Sequence, residues 1–126
     1  MKNVHIPEGY QQIMPYLILP DAAGFIAFIQ KVFGGKEKHK EMRDEHIIRH
    51  AEIKIGENVI MLASSTEEYP PDTAALFIYV DDADEVYRKA LNEGARSLQA
   101  PADRPYGRSA GVKDPFGNTW WITSVK

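Results

Sequence analysis

A repeat with an offset of 60 positions limits the folds open to this chain more than any other feature of its sequence. Asp21 and Gly34 bracket a stretch whose apolar residues recur at helical spacing, and Asp81 and Gly94 bracket a second such stretch. Aspartate is favoured just before the first turn of a helix, and glycine is common just after the last turn. The shared starts and stops predict that one structural unit occurs twice.

The end of the chain shows how each unit closes. Residues 114–118, Asp-Pro-Phe-Gly-Asn, are typical of a turn, since proline presets a negative φ and glycine accepts a positive one. Residues 119–125 are rich in β-branched and aromatic side chains, which predicts a well-buried strand. Residues 55–63 have the same outline 60 positions earlier. We therefore expect both units to end with a turn and a strand.

Alternating and helically spaced apolar residues predict five elements in each unit. The first has a strand at 13–19, a helix between 21 and 34, and strands at 36–43, 47–55 and 59–63. The second has a strand at 75–80, a helix between 81 and 94, and strands at 96–100, 108–113 and 119–125, with a loop at 101–107. The predicted fold class is α+β, in which a polar arm at 1–12 precedes two tandem βαβββ modules. Module 1 lies at about 13–63, a linker at 64–73 and module 2 at about 74–125.

Composition narrows the function classes. A length of 126 residues predicts one domain, and 44% hydrophobic with 26% charged residues is ordinary for a soluble globular protein. A net charge of −3 gives no indication of a nucleic-acid partner. The absence of cysteine excludes disulfides, thiolate metal sites and thiol nucleophiles. With no signal core and no apolar run of membrane length, we expect a cytoplasmic protein without a membrane partner.

His50 and Glu52 are the first candidate site residues. They stand two positions apart on a predicted strand, so their side chains share one face, while Ala51, Ile53 and Ile55 face the helix. A histidine–carboxylate pair could serve as acid and base, or as half of a displaced metal site. The interpretation favoured here is a solvated polar face or a hydrogen bond that orients a ligand.

Aromatic side chains form the second candidate group. By alternation, the face that carries Met14 and Met61 also carries Tyr16, Phe77, Tyr79 and Trp121. Such a surface suits a flat apolar or cationic ligand, although core packing is the alternative, above all for Phe77. Trp120 must face the other way, toward the helices. Arg108, with Arg104, could meet an anionic group at the mouth of the site, and an ordinary surface arginine is the alternative.

Four stretches carry a family resemblance. They are Tyr16-Leu-Ile-Leu-Pro-Asp, His50-Ala-Glu-Ile-Lys-Ile-Gly, Tyr79-Val-Asp-Asp and Asp114-Pro-Phe-Gly-Asn. With the repeat, they make the chain resemble the vicinal-oxygen-chelate superfamily of glyoxalases, bleomycin-resistance proteins, extradiol dioxygenases and epimerases, over about 13–125. The residues from His50 onward are similar to those of a small bacterial glyoxalase-like subgroup of unproven function. The resemblance implies two curved sheets around a central groove and a homodimer.

The resemblance also implies where a metal would bind. Enzymes of the family hold a divalent ion with four side chains, commonly His, Glu or Gln. The matching positions here are Met14, Met61, Ala75 and Trp121, none of which suits such an ion. We therefore expect no cofactor at the usual place, while a divalent metal at another site stays open.

Two functions follow from the resemblance. The first is a glyoxalase/bleomycin-resistance-like protein that binds a small, flat or aromatic molecule in a groove without a metal, through Tyr16, His50, Glu52, Phe77, Tyr79, Arg108 and Trp121. The alternative is a metal-dependent lyase, isomerase or dioxygenase-like enzyme with His50 and Glu52 as catalytic candidates. The positions that lack metal ligands favour the first function.

Overall fold

A computed structural model describes residues 2–125 and contains ten secondary-structure elements. In the first half these are β1 (Tyr16–Leu19), α1 (Ala22–Phe33), β2 (Lys36–Met42), β3 (Ile48–Ile55) and β4 (Asn58–Ser64). In the second half they are β5 (Ala75–Tyr79), α2 (Ala83–Asn92), β6 (Arg96–Arg104), β7 (Gly107–Lys113) and β8 (Thr119–Ser124). The predicted α+β fold of two βαβββ modules is confirmed.

The two sheets have the same topology. Their strand orders are β1-β4-β3-β2 and β5-β8-β7-β6. In each sheet the first and last strands of the module pair in parallel, so that Tyr16 lies opposite Met61 and Phe77 lies opposite Trp121. The remaining neighbours are antiparallel hairpins. Each module therefore presents one sheet face to its helix and leaves the other, the outer face, uncovered by that helix.

Both helices begin beside a predicted aspartate, although the residue that caps α2 is Asp82 and not Asp81. The Asp21 carboxylate accepts a hydrogen bond from the Gly24 N–H at 2.9 Å, and the Asp82 carboxylate accepts one from the Glu85 N–H at 3.2 Å. Each bond satisfies an N–H group that the first helical turn leaves without a partner. Gly34 ends α1 with a φ of 70°, a left-handed conformation that glycine adopts without strain.

The helix sides of both sheets contribute to one shared core. Trp120 of β8 is 2% exposed, and its ring centroid lies 4.4 Å from that of Phe33 in α1. Phe116, in the turn before β8, makes edge contacts with Phe25 and Phe28 of α1 at 5.9 and 6.0 Å. Module 1's helix therefore packs against module 2's last turn and strand.

No helix within residues 2–125 has the length and apolar character needed to cross a membrane.

Two strand boundaries differ from the prediction by more than one residue. The first strand begins at Tyr16 and not at Ile13, whose side chain is 85% exposed, because Pro15 cannot donate to a ladder. The predicted loop at 101–107 is wrong, since β6 continues to Arg104 and only a two-residue turn precedes β7. Pro101 falls within a register irregularity of this outer strand, where its missing N–H removes no ladder bond.

Candidate functional site

Four polar side chains gather on the outer face of module 1. We call this set, Tyr10, Tyr16, His50 and Glu52, the polar cluster. Ala51 and Ile53 of β3 are fully buried on the helix side. His50 and Glu52 alternate with them along the strand and therefore point to the outer face. Glu52 lies opposite Met61, which in turn lies opposite Tyr16. Strand pairing thus brings Tyr16 of β1 close to the two candidates on β3.

Hydrogen bonds link the polar cluster into one chain. His50 Nε2 lies 2.7 Å from Glu52 Oε2, and His50 Nδ1 lies 3.0 Å from the Tyr16 hydroxyl. The Tyr10 hydroxyl donates to the other carboxylate oxygen, Glu52 Oε1, at 2.5 Å. Because an ionised carboxylate only accepts, Nε2 must carry the hydrogen in this arrangement. In neutral His50, Nδ1 is then the acceptor of the Tyr16 proton.

The charge of the cluster resides on Glu52, which is only 7% exposed. Burial by itself would raise the pKa of Glu52, but the hydrogen bonds from Tyr10 and His50 and the nearby imidazoles of His50 and His39 together lower that pKa. The hydrogen bond to Glu52 raises the pKa of Tyr10, while burial and then the Glu52 charge raise the pKa of Tyr16. At neutral pH the cluster therefore holds one carboxylate between protonated phenols.

Tyr10 is the site residue that the sequence did not reveal. It belongs to the polar arm before β1, and its position over Glu52 depends on how this arm folds back along the sheet. The next residue fixes the arm, because the Gln11 amide donates to the Val59 carbonyl at 2.8 Å and accepts from the Val59 N–H at 3.1 Å. A lone tyrosine in a polar segment gave no signal of this contact.

Four aromatic side chains occupy the outer face of module 2. We call this set, Phe77, Tyr79, Tyr106 and Trp121, the aromatic cluster. The ring of Phe77 lies 5.2 Å from that of Tyr79 and 6.5 Å from that of Tyr106. Trp121 is 36% exposed, Phe77 50% and Tyr79 68%. Large apolar side chains that remain this exposed together are typical of a binding surface.

The six-membered ring of Trp121 lies close to Gly111 of the neighbouring strand. The two residues are paired across β7 and β8. A Cβ atom added to Gly111 would come within 2.3 Å of Trp121 Cζ3, far inside the contact distance of two carbon atoms. The glycine therefore permits the indole to cover the strand.

Trp120 and Trp121 occupy different environments, as predicted. Trp120 is buried on the helix side, where its Nε1–H donates to Asp114 Oδ2 at 2.9 Å. The other oxygen of Asp114 accepts the N–H groups of Phe116 and Asn118, at 2.8 and 2.9 Å. Asp114 thus holds the turn and the buried indole in one arrangement.

Arg108 lies away from both clusters. Its guanidinium donates to the two carboxylate oxygens of Asp84 in α2, at 2.9 and 3.0 Å, and this pairing raises the pKa of Arg108. The side chain is therefore on the helix side of module 2, opposite to Trp121. Arg104 pairs with Gly107 at the end of the β6–β7 hairpin. The structure does not join these arginines to the other predicted site residues.

A cleft of about 950 Å³ lies between the modules. It adjoins the outer edge of β5, and its lining includes Phe33, Ile60, Leu76, Phe77 and Trp120. The cleft is large enough for a small aromatic molecule. Through Phe77 and Tyr79 it is continuous with the aromatic cluster.

The side chains at the matching metal positions do not fit a hard divalent ion. Met14 and Met61 offer soft thioethers, Ala75 offers no donor, and the Trp121 indole only donates a hydrogen bond. Within residues 2–125, no three His, Asp or Glu side chains are arranged to hold a metal. His50 and Glu52 supply two possible ligands, and both are already engaged in the polar cluster.

Comparisons with known proteins agree with this fold. The family model of the Glyoxalase/Bleomycin resistance protein/Dioxygenase superfamily matches residues 9–122 of the sequence. An uncharacterised protein of Mycobacterium bovis is 28% identical over 120 residues, which cover 86% of this chain and 79% of the relative. TioX from Micromonospora sp. ML1 superposes with a TM-score of 0.75 at 24% identity, over 90% of this chain and 98% of that one. The fosfomycin resistance protein FosX from Mesorhizobium loti superposes with a TM-score of 0.66 at 18% identity, over 92% of each chain.

The chain belongs to the glyoxalase/bleomycin resistance protein/dioxygenase superfamily, because the family model spans nearly all of it. The resemblance that the four sequence stretches carry is therefore confirmed. TioX and FosX share its fold.

Proposed function

We propose that this protein binds a small, flat aromatic molecule and does so without a metal ion. The observation that carries this proposal is the aromatic cluster, in which Phe77, Tyr79 and Trp121 stay exposed on one sheet face beside a cleft of about 950 Å³. Aromatic rings in this arrangement contact a flat ligand over a large area and lose little conformational freedom. The side chains at the usual metal positions support binding without a divalent ion.

The functional form in this proposal is a homodimer. Within residues 2–125, no hydrogen bond or ring contact connects the polar cluster with the aromatic cluster. The outer edge of β1 is covered where Ile18 exchanges two backbone hydrogen bonds with Asp72, whereas β5 ends its sheet without a further strand in the described part of the chain. A second copy would cover the β5 edge and bring a polar cluster to an aromatic one.

Glu52 defines the charge that such a ligand prefers. Its buried carboxylate gives the polar cluster a negative charge, which favours neutral or cationic groups over anions. Cations also bind well over aromatic faces. We therefore expect flat heteroaromatic amines to bind better than aromatic carboxylates of the same size.

Ligand titrations of matched variants test the proposal. Trp121→Ala and Phe77→Ala should each weaken binding of quinoline- and acridine-type probes by about ten-fold, since each removes an aromatic contact. Tyr69→Ala, which removes an exposed tyrosine outside both clusters, is the matched control and should leave the affinity unchanged. Light scattering should give the mass of a dimer, and elemental analysis should find no stoichiometric metal. Equal affinities in all variants would contradict the proposal.

A second candidate function rests on the 2.7 Å contact of His50 with Glu52. A carboxylate that fixes the histidine tautomer is also the arrangement of a general base, so the pair could serve a lyase or isomerase. Glutathione–methylglyoxal hemithioacetal, with and without added Ni²⁺, Zn²⁺, Mn²⁺ or Fe²⁺, tests this function. We expect no turnover above background. Turnover that His50→Ala abolishes would establish the enzyme instead.

A further inference from the structure

The arm before β1 covers the polar cluster with a single side chain. Residues 2–9 are exposed, and the arm reaches the sheet at Tyr10 and Gln11. Tyr10 places its hydroxyl 2.5 Å from Glu52 Oε1, and Glu52 is nevertheless only 7% exposed. The arm therefore supplies both a cover and a hydrogen-bond donor to the buried carboxylate.

The phenol of Tyr10 is held over Glu52 by short-range contacts. Gly9 has a φ of 88°, which turns the chain just before Tyr10. The Tyr10 N–H donates to the Pro7 carbonyl at 3.2 Å, and Lys38 Nζ lies 4.8 Å from the centre of the Tyr10 ring. The contacts of Tyr10 itself are partly exposed, so each contributes little by itself, while the next residue, Gln11, anchors the arm through its two hydrogen bonds to the Val59 backbone.

Glu52 requires donors, but the donor at Oε1 need not come from this chain. A buried carboxylate without hydrogen-bond donors is strongly unfavourable, so when the Tyr10 phenol moves away, water or another donor must take its place. His50 and Tyr16 belong to strands of the sheet, whereas Tyr10 belongs to an exposed arm. Tyr10 is therefore the member of the polar cluster that can be exchanged at the lowest cost.

We infer that Tyr10 occupies the place of a ligand hydroxyl, so that the polar cluster is a subsite for a neutral phenol-type hydrogen-bond donor that displaces the Tyr10 side chain. The geometry of the Tyr10 phenol shows what this subsite accepts: a planar ring with one donor directed at Glu52 Oε1. A phenolate or carboxylate is disfavoured there because it cannot donate and would be repelled by the Glu52 charge. This inference rests on the proposed function and adds a phenol-type hydroxyl to the flat aromatic ligand proposed there.

The test uses 4-methylphenol as a probe and 4-methylanisole as its non-donating partner. The full-length protein is titrated with each, and binding is followed by the NMR shifts of the Glu52 and Met61 amides. Tyr10→Ala should bind 4-methylphenol about ten-fold or more tightly than the wild type, because the internal competitor is gone. Tyr10→Phe, which keeps the ring but not the donor, should fall between the two. Neither variant should gain affinity for 4-methylanisole.

Glu52→Gln in the Tyr10→Ala background identifies the acceptor. This second change should remove most of the gain for 4-methylphenol, since the charged acceptor is lost. Equal binding of both probes to Tyr10→Ala would show only an apolar hole and would overturn the inference. A Tyr10→Phe affinity equal to that of the wild type would overturn it too, even if Tyr10→Ala does not fold. Binding of flat probes at Trp121 is measured with Tyr10 intact, so failure here is distinguishable from failure of the proposed function.

Discussion

The two modules share one backbone topology, but their outer faces differ in chemical character. Along one row of module 1, strand pairing aligns Tyr16, Met61 and Glu52. Along the equivalent row of module 2, it aligns Phe77, Trp121 and Gly111. Met61 beside the Glu52 carboxylate in module 1 thus corresponds to the Trp121 indole over Gly111 in module 2. One outer face is charged and hydrogen-bonded, whereas the other is aromatic and exposed.

The helix sides of the same sheets differ much less. Leu17, Leu62 and Ala51 form one row of module 1, and Ile78, Ile122 and Ala110 form the matching row of module 2. Each row has two large aliphatic residues and one alanine. Packing under the helix restricts size at these positions, because interiors have no room for extra methylenes and tolerate few voids. The outer faces are free of that restriction, so their side chains can differ in size and charge between the modules.

Truncating the two tryptophans should give the largest difference between inner and outer positions. Trp120→Ala should lower the free energy of unfolding by about 3–5 kcal/mol, because it empties a buried site. Trp121→Ala should lower it by less than half as much, since its side chain is partly exposed. Urea unfolding measures both values. Equal, large losses in both variants would contradict the assignment of the two faces.

Gly111→Ala should disturb the aromatic face without emptying the core. The added Cβ would lie 2.3 Å from Trp121 Cζ3, so the indole must move away from the strand. We expect a loss of about 1–3 kcal/mol in unfolding free energy and a change in Trp121 fluorescence. Trp121→Ala combined with Gly111→Ala is the control, and there the glycine change should cost much less. A full cost in both backgrounds would place the strain elsewhere.

Glu52→Gln should change the pH dependence of stability. The pKa of Glu52 lies below its value in the unfolded chain, so the ionised carboxylate stabilises the fold above about pH 4.3. This contribution is lost as the pH falls through the folded-state pKa. At pH 7 the variant should be about 1–2 kcal/mol less stable, because Tyr10 and His50 lose a charged acceptor.

Urea unfolding of Glu52→Gln and the wild type between pH 7 and pH 3 measures this effect. The difference in stability between the two proteins should narrow as the pH falls below about 4.3. A difference that widens toward acid would show that burial dominates and that the carboxyl group is better accommodated when protonated.

Arg108→Ala should have the smallest effect. Its pairing with Asp84 is partly exposed, so we expect a loss of at most about 1 kcal/mol in unfolding free energy. Because the side chain lies on the helix side, affinity for flat aromatic probes should stay unchanged. A marked loss of affinity for these probes in Arg108→Ala would place the arginine at the binding surface after all.

The fold was predictable because helix caps, turns and strand alternation are local signals that occur twice. Asp21 and Asp82 cap the first turns of their helices, and Gly34 ends α1 in a left-handed conformation, as their residue types favour. The faces of His50, Glu52, Trp120 and Trp121 also follow from alternation alone. Local signals were therefore sufficient for the elements and for the direction of most side chains.

The contacts between distant segments were not predictable. Tyr10 reaches Glu52 across 42 positions, and Arg108 reaches Asp84 across 24. Neither contact leaves a periodic pattern, because each depends on where an arm or a helix end lies in three dimensions. The extension of β6 through Pro101 was also missed, since an outer strand tolerates a proline that a central strand would not.

The central claim is that the outer face of module 2 binds a flat aromatic ligand. Its most direct test is the pair of indole N–H signals in an NMR titration with quinoline. The Trp120 N–H is bonded to buried Asp114, whereas Trp121 is 36% exposed on the aromatic cluster. We predict that the Trp121 signal shifts saturably and by much more than the Trp120 signal, whose N–H group is buried. Two unmoved signals, or a shift of Trp120 alone, would contradict the account.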